Sequence, residues 1–192
     1  MNQEKRMVVK GTGPAALNAF VKETFQDRYE EWLAALPEAS QKIYRETILT
    51  VDDYLIYDAL VQPMETICEL FYNGNEKGAW DAGIHSASFA LKGFYKIFFK
   101  FGSPQFIIDR ASRLFSNYYP EGALLVKESS YNPDRLVLHI IRFPEPYRMI
   151  EVTTGGWMDG VLQLLDKNNI IINITQYMSN GDPVTEYKLS WT

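Results

Sequence analysis

Histidine is the side chain best suited to hold a metal or haem iron, or to move a proton near neutral pH. This chain has two, His85 in "GIHSASFALKGFYKIFF" and His139 in "RLVLHIIRF". Spaced at 100° per residue, Asp81, His85, Ser88, Lys92 and Lys96 share one side of a helix. Gly83, Ala87, Ala90, Leu91, Phe94 and Phe98 share the other. An axial haem ligand must stand in an apolar pocket, whereas this spacing sends His85 toward water with the lysines. Asp81 and His85, four residues apart, are expected to pair along one face. His85 is the one alternative metal ligand the sequence offers, and it has no third ligand in view. His139 alternates with Val137 and Ile141 on one side of a strand, and Leu136, Leu138 and Ile140 take the other. With carbon on both sides, His139 is expected to be partly buried. It is then satisfied by a backbone or carboxylate partner, or serves as a polar contact in a ligand pocket.

Other chemistry is sparse. Cys68 is the sole cysteine, which excludes an internal disulfide and a multi-cysteine zinc site. Among Ile67, Leu70 and Phe71 it reads as a small buried hydrophobe. "GTGP" near residue 11 lacks the preceding strand and the Lys-Ser/Thr of a phosphate loop. No serine sits in Gly-x-Ser-x-Gly. Glu30-Glu31, Asp52-Asp53 and the acids around Glu145 read as helix starts and solvated faces. No catalytic constellation emerges, so catalytic residues are expected to be absent and the chain is read as a non-enzyme.

The elements that must position these residues change character midway. "GTGPAALNAFVKETF" opens with Pro14, suited to a first helical turn, and places Leu17, Phe20, Val21 and Phe25 at helical spacing. "DRYEEWLAAL" runs to Pro37 and "PEASQKIYRETIL" forms a short helix. Pro63 starts a helix from Met64 to Tyr72 that stops at "NGN". A long helix is expected from about Lys77 to Phe101. Another follows, capped by Ser103 and stopped by Pro120-Glu121-Gly122. Beyond Gly122, "ALLVKES" and "RLVLHIIRF" flank the turn cluster "SYNPD" and read as a hairpin. "PEPYRMIEVTTGGWMDGVLQLLDKNN" returns to helical spacing, with Gly155-Gly156 as a close-packing point. "IIINITQYM" and "VTEYKLSW" flank Asn180-Gly181, a hairpin signal. In the last strand Tyr187, Leu189 and Trp191 share one face.

The fold class is therefore α+β: a helical N-terminal half packed on an antiparallel sheet made of two hairpins separated by a helix. One domain is expected over residues 1–192, helical over about 12–119 and hairpin–helix–hairpin over about 122–192. Hydrophobic residues are 46% and charged residues 22%, with a net charge of −5, a composition that supports a core but no basic face for nucleic acid. The start "MNQEKRMVVKGTG" lacks the apolar stretch of a secretory signal. No run reaches the roughly 20 apolar residues that span a bilayer, and a lone thiol suits the reducing cytoplasm.

The Gly-rich start "VVKGTGPAALNAFVKETF", the Pro63 helix "QPMETICELFY", the stretch "GIHSASFALKGFYKIFFKFGSPQFIIDRASRLFSNYYPEGAL" and the ending "GDPVTEYKLSW" carry a resemblance over nearly the whole chain. It resembles an uncharacterised bacterial family, abundant in myxobacteria. That family is akin to haem-NO-binding (H-NOX) and 4-vinyl-reductase-type ligand-binding domains. The resemblance implies this α+β fold and a small-molecule sensor in signal transduction. H-NOX domains carry a proximal histidine and a Tyr-x-Ser-x-Arg motif for the haem propionates, and this chain has no such motif. The cysteines that often flank the Gly-Asp turn of 4-vinyl-reductase-type domains are replaced by Tyr177 and Val184.

Together these readings anticipate a binding or sensory domain with an apolar internal pocket. Its expected walls are Leu91, Phe94, Phe98 and Trp157, with His139 as a polar contact and no cofactor. A haem-based gas sensor and a ligand-free oligomerisation or interaction module are the alternatives. A small apolar ligand, a protein partner or a homodimer are the expected partners, without nucleic acid or membrane insertion.

Overall fold

Val8 and Val9 favour extended backbone, and the first element of the described chain is a strand that holds both. The computed structural model describes residues 7–92, 111–120, 122–131 and 134–192. Strand β1 (Val8–Lys10) pairs antiparallel with β2 (Asp53–Leu55), Val9 opposite Tyr54. The sequence reading took this half as helical throughout and missed both strands. Each is three residues long, too short for a period-2 pattern to show.

Between them run α1 (Thr12–Phe25), α2 (Tyr29–Ala35) and α3 (Glu38–Arg45), the last two separated at Pro37 as expected. A π-helical turn (Tyr57–Val61) feeds α4 (Gln62–Tyr72), with Pro63 in its first turn. Asn73 ends α4 in the left-handed conformation. Then come α5 (Lys77–Lys92) and α6 (Ala111–Tyr118). The expected continuation of α5 to Phe101, the Ser103 cap, and Phe94 and Phe98 lie outside the described residues. So do the side chain of Leu91 and the centre of the "SYNPD" turn.

The C-terminal part follows the expected order: β3 (Ala123–Tyr131), β4 (Asp134–Ile141), α7 (Arg148–Leu164), β5 (Ile171–Gln176) and β6 (Thr185–Ser190). The four strands form one antiparallel sheet in the order β3-β4-β6-β5. Leu136 stands opposite Leu189, and Leu138 opposite Tyr187. Strand alternation then sends Leu136, Leu138, Ile140, Tyr187 and Leu189 into the core, each at most 5% exposed. Asn180-Gly181 does not make a two-residue hairpin turn. Met178–Asn180 forms a 3₁₀ turn, and Gly181 follows it at φ 93°.

Helix α7 crosses α5 in backbone contact. A Cβ on Gly83 would lie 2.2 Å from the Thr153 carbonyl oxygen, and one on Gly156 would lie 2.0 Å from that of Trp80. Only glycine permits this approach. Trp80 ties the same helices together by donating from Nε1 to Asp159 Oδ2 at 3.0 Å. Helix α7 is held to the sheet by a buried carboxylate. Glu151 accepts from the Ser179 backbone N at 3.2 Å, from Ser179 Oγ and from Thr185 Oγ1. One apolar cluster runs from Trp32 and Met64 in the helices to Tyr187 and Leu189 in the sheet. No helix among the described residues is long and apolar enough to cross a membrane.

Candidate functional site

The close approach of α5 and α7 leaves space beside it. A cavity of about 110 Å³ lies between these helices, α1, α6 and the inner face of the sheet. Ala82 and Ser86 of α5 form one wall, and Trp157 and Met158 of α7 another. Phe115 of α6 and Tyr119 just past it close the cavity on one side, Leu136 and Leu138 of β4 on another. Trp191, just past β6, completes the sheet side.

No charged side chain stands in the described wall. Burial pushes the Tyr119 phenol above its ordinary range, so it stays neutral at physiological pH. Two wall hydroxyls already have partners: Thr153 Oγ1 donates to Met64 Sδ at 2.8 Å, and Thr154 Oγ1 to the Ile150 carbonyl at 2.8 Å. The ring nitrogens of Trp157 and Trp191 are buried and have no hydrogen-bond partner. The cavity is thus a carbon-walled space with a few neutral donors, the usual make-up of a small-molecule site.

Of the residues expected to form the site, Trp157 stands in this wall. His139 does not. It faces the opposite side of β4, with Nε2 2.8 Å from Glu186 Oε2, in line with the expected carboxylate partner. Alternation explains the placement, because Leu138 and Ile140 take the cavity side. On that outer face Glu186 also accepts from Thr175 Oγ1 at 2.7 Å and lies 3.1 Å from Lys188 Nζ. The hydrogen bonds from Thr175, His139 and Lys188 draw its carboxyl down to about 2.

His85 departs from the expectation of an outward ring. Its side chain is 19% exposed, with Nε2 2.9 Å from Glu23 Oε2 of α1 and the ring 5.5 Å from that of Phe20. It does not pair with Asp81, which accepts from Tyr72 Oη at 3.0 Å and from Lys77 Nζ at 2.7 Å. The wheel placed the ring on the correct side of α5. It could not show that α1 covers that side. Cys68 is buried at 4% exposure, and burial raises its thiol above the ordinary range.

The sequence reading did not name Trp191, Phe115, Tyr119 or the inner leucines as wall residues. The alternation of Tyr187, Leu189 and Trp191 marked the inner face but carried no sign of a void there.

The described wall offers a haem iron no histidine. Neither histidine lines the cavity, so neither can ligate an iron within it. The space of about 110 Å³ is well below the roughly 300–1,000 Å³ of sites that take drug-sized molecules, and a porphyrin is larger than those. Among the described residues no group of three His, Cys, Asp or Glu side chains could hold a metal ion.

No protein-family model matches the chain, and no curated protein matches it. Solved structures do. An H-NOX protein from S. oneidensis in its Fe(II)NO ligation state is 14% identical, with a TM-score of 0.72 over 95% of this chain and 99% of that one. The H-NOX domain from Shewanella oneidensis in an Fe(II)CO state is 15% identical at a TM-score of 0.72, over 95% and 98% of the two chains. An Fe(II) unliganded H-NOX protein from K. algicida is 10% identical at 0.68, over 95% and 96%. At this level of identity the likeness speaks of backbone architecture, and it spans nearly the whole of both chains. The chain therefore has an H-NOX-like fold.

Proposed function

We propose that this chain is a small-molecule-binding domain with a sensory role, which seats an apolar guest between α5, α7 and the sheet and works without haem. The observation that carries the reading is the cavity of about 110 Å³ at the junction of the helices and the sheet, with no charged side chain in its described wall. An engineered apolar cavity of roughly 150 Å³ is known to take benzene or xenon, so this space suits a guest of similar or smaller size. The guest favours whichever packing of helices on sheet keeps the cavity open. By differential affinity it shifts the population toward that packing and alters the surface offered to a protein partner or a second copy. The lone buried thiol of Cys68 is in keeping with a cytoplasmic setting. Haem is left out because both histidines are engaged elsewhere, His85 with Glu23 and His139 with Glu186.

Native mass spectrometry of freshly purified protein tests the reading, followed by absorption spectra on adding haem. The expected result is a retained or readily taken-up small organic molecule and no stoichiometric Soret band. Failure to take up any apolar probe would contradict the binding role. A stoichiometric Soret band would contradict the exclusion of haem.

A further inference from the structure

Four tryptophans occur in the chain, and their ring N–H groups fall into two classes. Trp32 Nε1 donates to the Pro63 carbonyl at 3.2 Å, and Trp80 Nε1 to Asp159 Oδ2 at 3.0 Å. Trp157 Nε1 and Trp191 Nε1 are buried with no partner. Both of these rings, on different elements, line the same cavity. Trp191 is 5% exposed, beyond the reach of bulk water.

An indole nitrogen can only donate, and a buried donor left unpaired is uncommon enough to need a cause. For two such donors bordering one cavity, a single explanation in common is an acceptor inside it. The protein does not supply it, since neither nitrogen has a hydrogen-bond partner within the fold. With no charge in the described wall, an ionised guest would lose its hydration without gaining a counter-charge. A water molecule needs two to four polar partners. It could accept from the indoles, but its own protons would face mostly carbon. A carbonyl oxygen has two lone pairs to accept with and no proton to place.

We infer that the cavity takes a neutral, apolar molecule that carries one hydrogen-bond acceptor for the N–H groups of Trp157 and Trp191. Its size, scaled from a cavity of roughly 150 Å³ that holds benzene, is about four to five non-hydrogen atoms. Small cyclic ketones are the model class. This inference rests on the binding role proposed above and names the chemistry of the guest.

The test titrates ¹⁵N-labelled protein with cyclobutanone and, separately, with methylenecyclobutane, which replaces the oxygen by a CH₂ group at nearly constant shape. The four indole N–H signals are assigned with Trp157→Phe and Trp191→Phe, whose folding is checked by thermal melts. The ketone should bind on the order of five- to tenfold more tightly than the hydrocarbon, as one or two modest hydrogen bonds allow. It should move the Trp157 and Trp191 signals downfield and leave those of Trp32 and Trp80 in place. In either variant the preference for ketone should shrink while hydrocarbon binding persists. If both probes bind equally and those two signals stay still, the acceptor inference is wrong and the binding role stands. If the Trp32 or Trp80 signal moves instead, the guest sits elsewhere and the inference is wrong. If neither probe binds, both the inference and the binding role fall. The wild-type spectra decide among these outcomes even if a variant does not fold.

Discussion

Glu186 Oε2 stands 2.8 Å from His139 Nε2 across the β4–β6 ladder, on the face of the sheet turned away from the cavity. The pair therefore belongs to the stability of the sheet rather than to guest binding. The Glu186 carboxyl is drawn down to about 2, first by Thr175, then by His139 and Lys188. A carboxyl whose folded value lies below its unfolded one stabilises the fold above the ordinary carboxylate range. That contribution is lost as pH falls toward the folded value. Stability should thus decline as pH drops from the ordinary carboxylate range to about 2, and Glu186→Gln should flatten part of that decline. Urea melts across this window measure it. Equal slopes in both proteins would contradict the assignment.

The crossing of α5 and α7 gives a second expectation. Gly156→Ala places a methyl where the Trp80 carbonyl stands, 2.0 Å away, and the obstacle is backbone, which cannot rotate aside. Overpacking of this kind costs about 3 kcal/mol, or roughly 6–12 °C of melting temperature for a chain of this size. Gly83→Ala should cost a similar amount, because the Thr153 carbonyl lies 2.2 Å from its Cβ position. Calorimetry of the two variants checks both values.

These glycines also show what the sequence could reveal. The pair Gly155-Gly156 was legible as a place of close approach, since adjacent glycines inside a helical pattern have few other uses. The hairpin–helix–hairpin order was legible from turn clusters and from the alternation of Tyr187, Leu189 and Trp191. The β1–β2 pair was not, because three residues carry no periodicity. Nor was the cover over His85. A wheel assigns a side to each residue, whereas the neighbour on that side depends on α1, distant in sequence. The cavity was least legible of all, because a void is a property of how side chains from many elements fail to fill space.

The buried carboxylate of Glu151 supports a third expectation. It accepts from Ser179 and Thr185 at 3% exposure. Glu151→Leu would strand these donors and cost about 3 kcal/mol or more, the size expected when a buried charged hydrogen-bond network is broken. By contrast His85→Ala, which removes the hydrogen bond to Glu23 and the ring contact with Phe20, should cost about 1–2 kcal/mol. It should leave guest binding unchanged, because His85 does not line the cavity. A fall in guest affinity in His85→Ala would contradict that placement.

Filling the cavity separates binding from folding. Val161, in the wall and 6% exposed, can be replaced by Phe so that the ring occupies part of the space of about 110 Å³. Guest binding should be abolished. The melting temperature should stay within a few degrees, because the added carbon meets a void rather than packed atoms. Parallel melts and guest titrations read both effects.

The most direct measurement is a crystal of the protein held under xenon, an atom that reports an accessible apolar space whatever its natural guest. The account predicts xenon density bounded by Trp157, Phe115 and Trp191 in the wild type and none there in Val161→Phe. A wild-type interior with no xenon at that position, its walls packed shut, would contradict it.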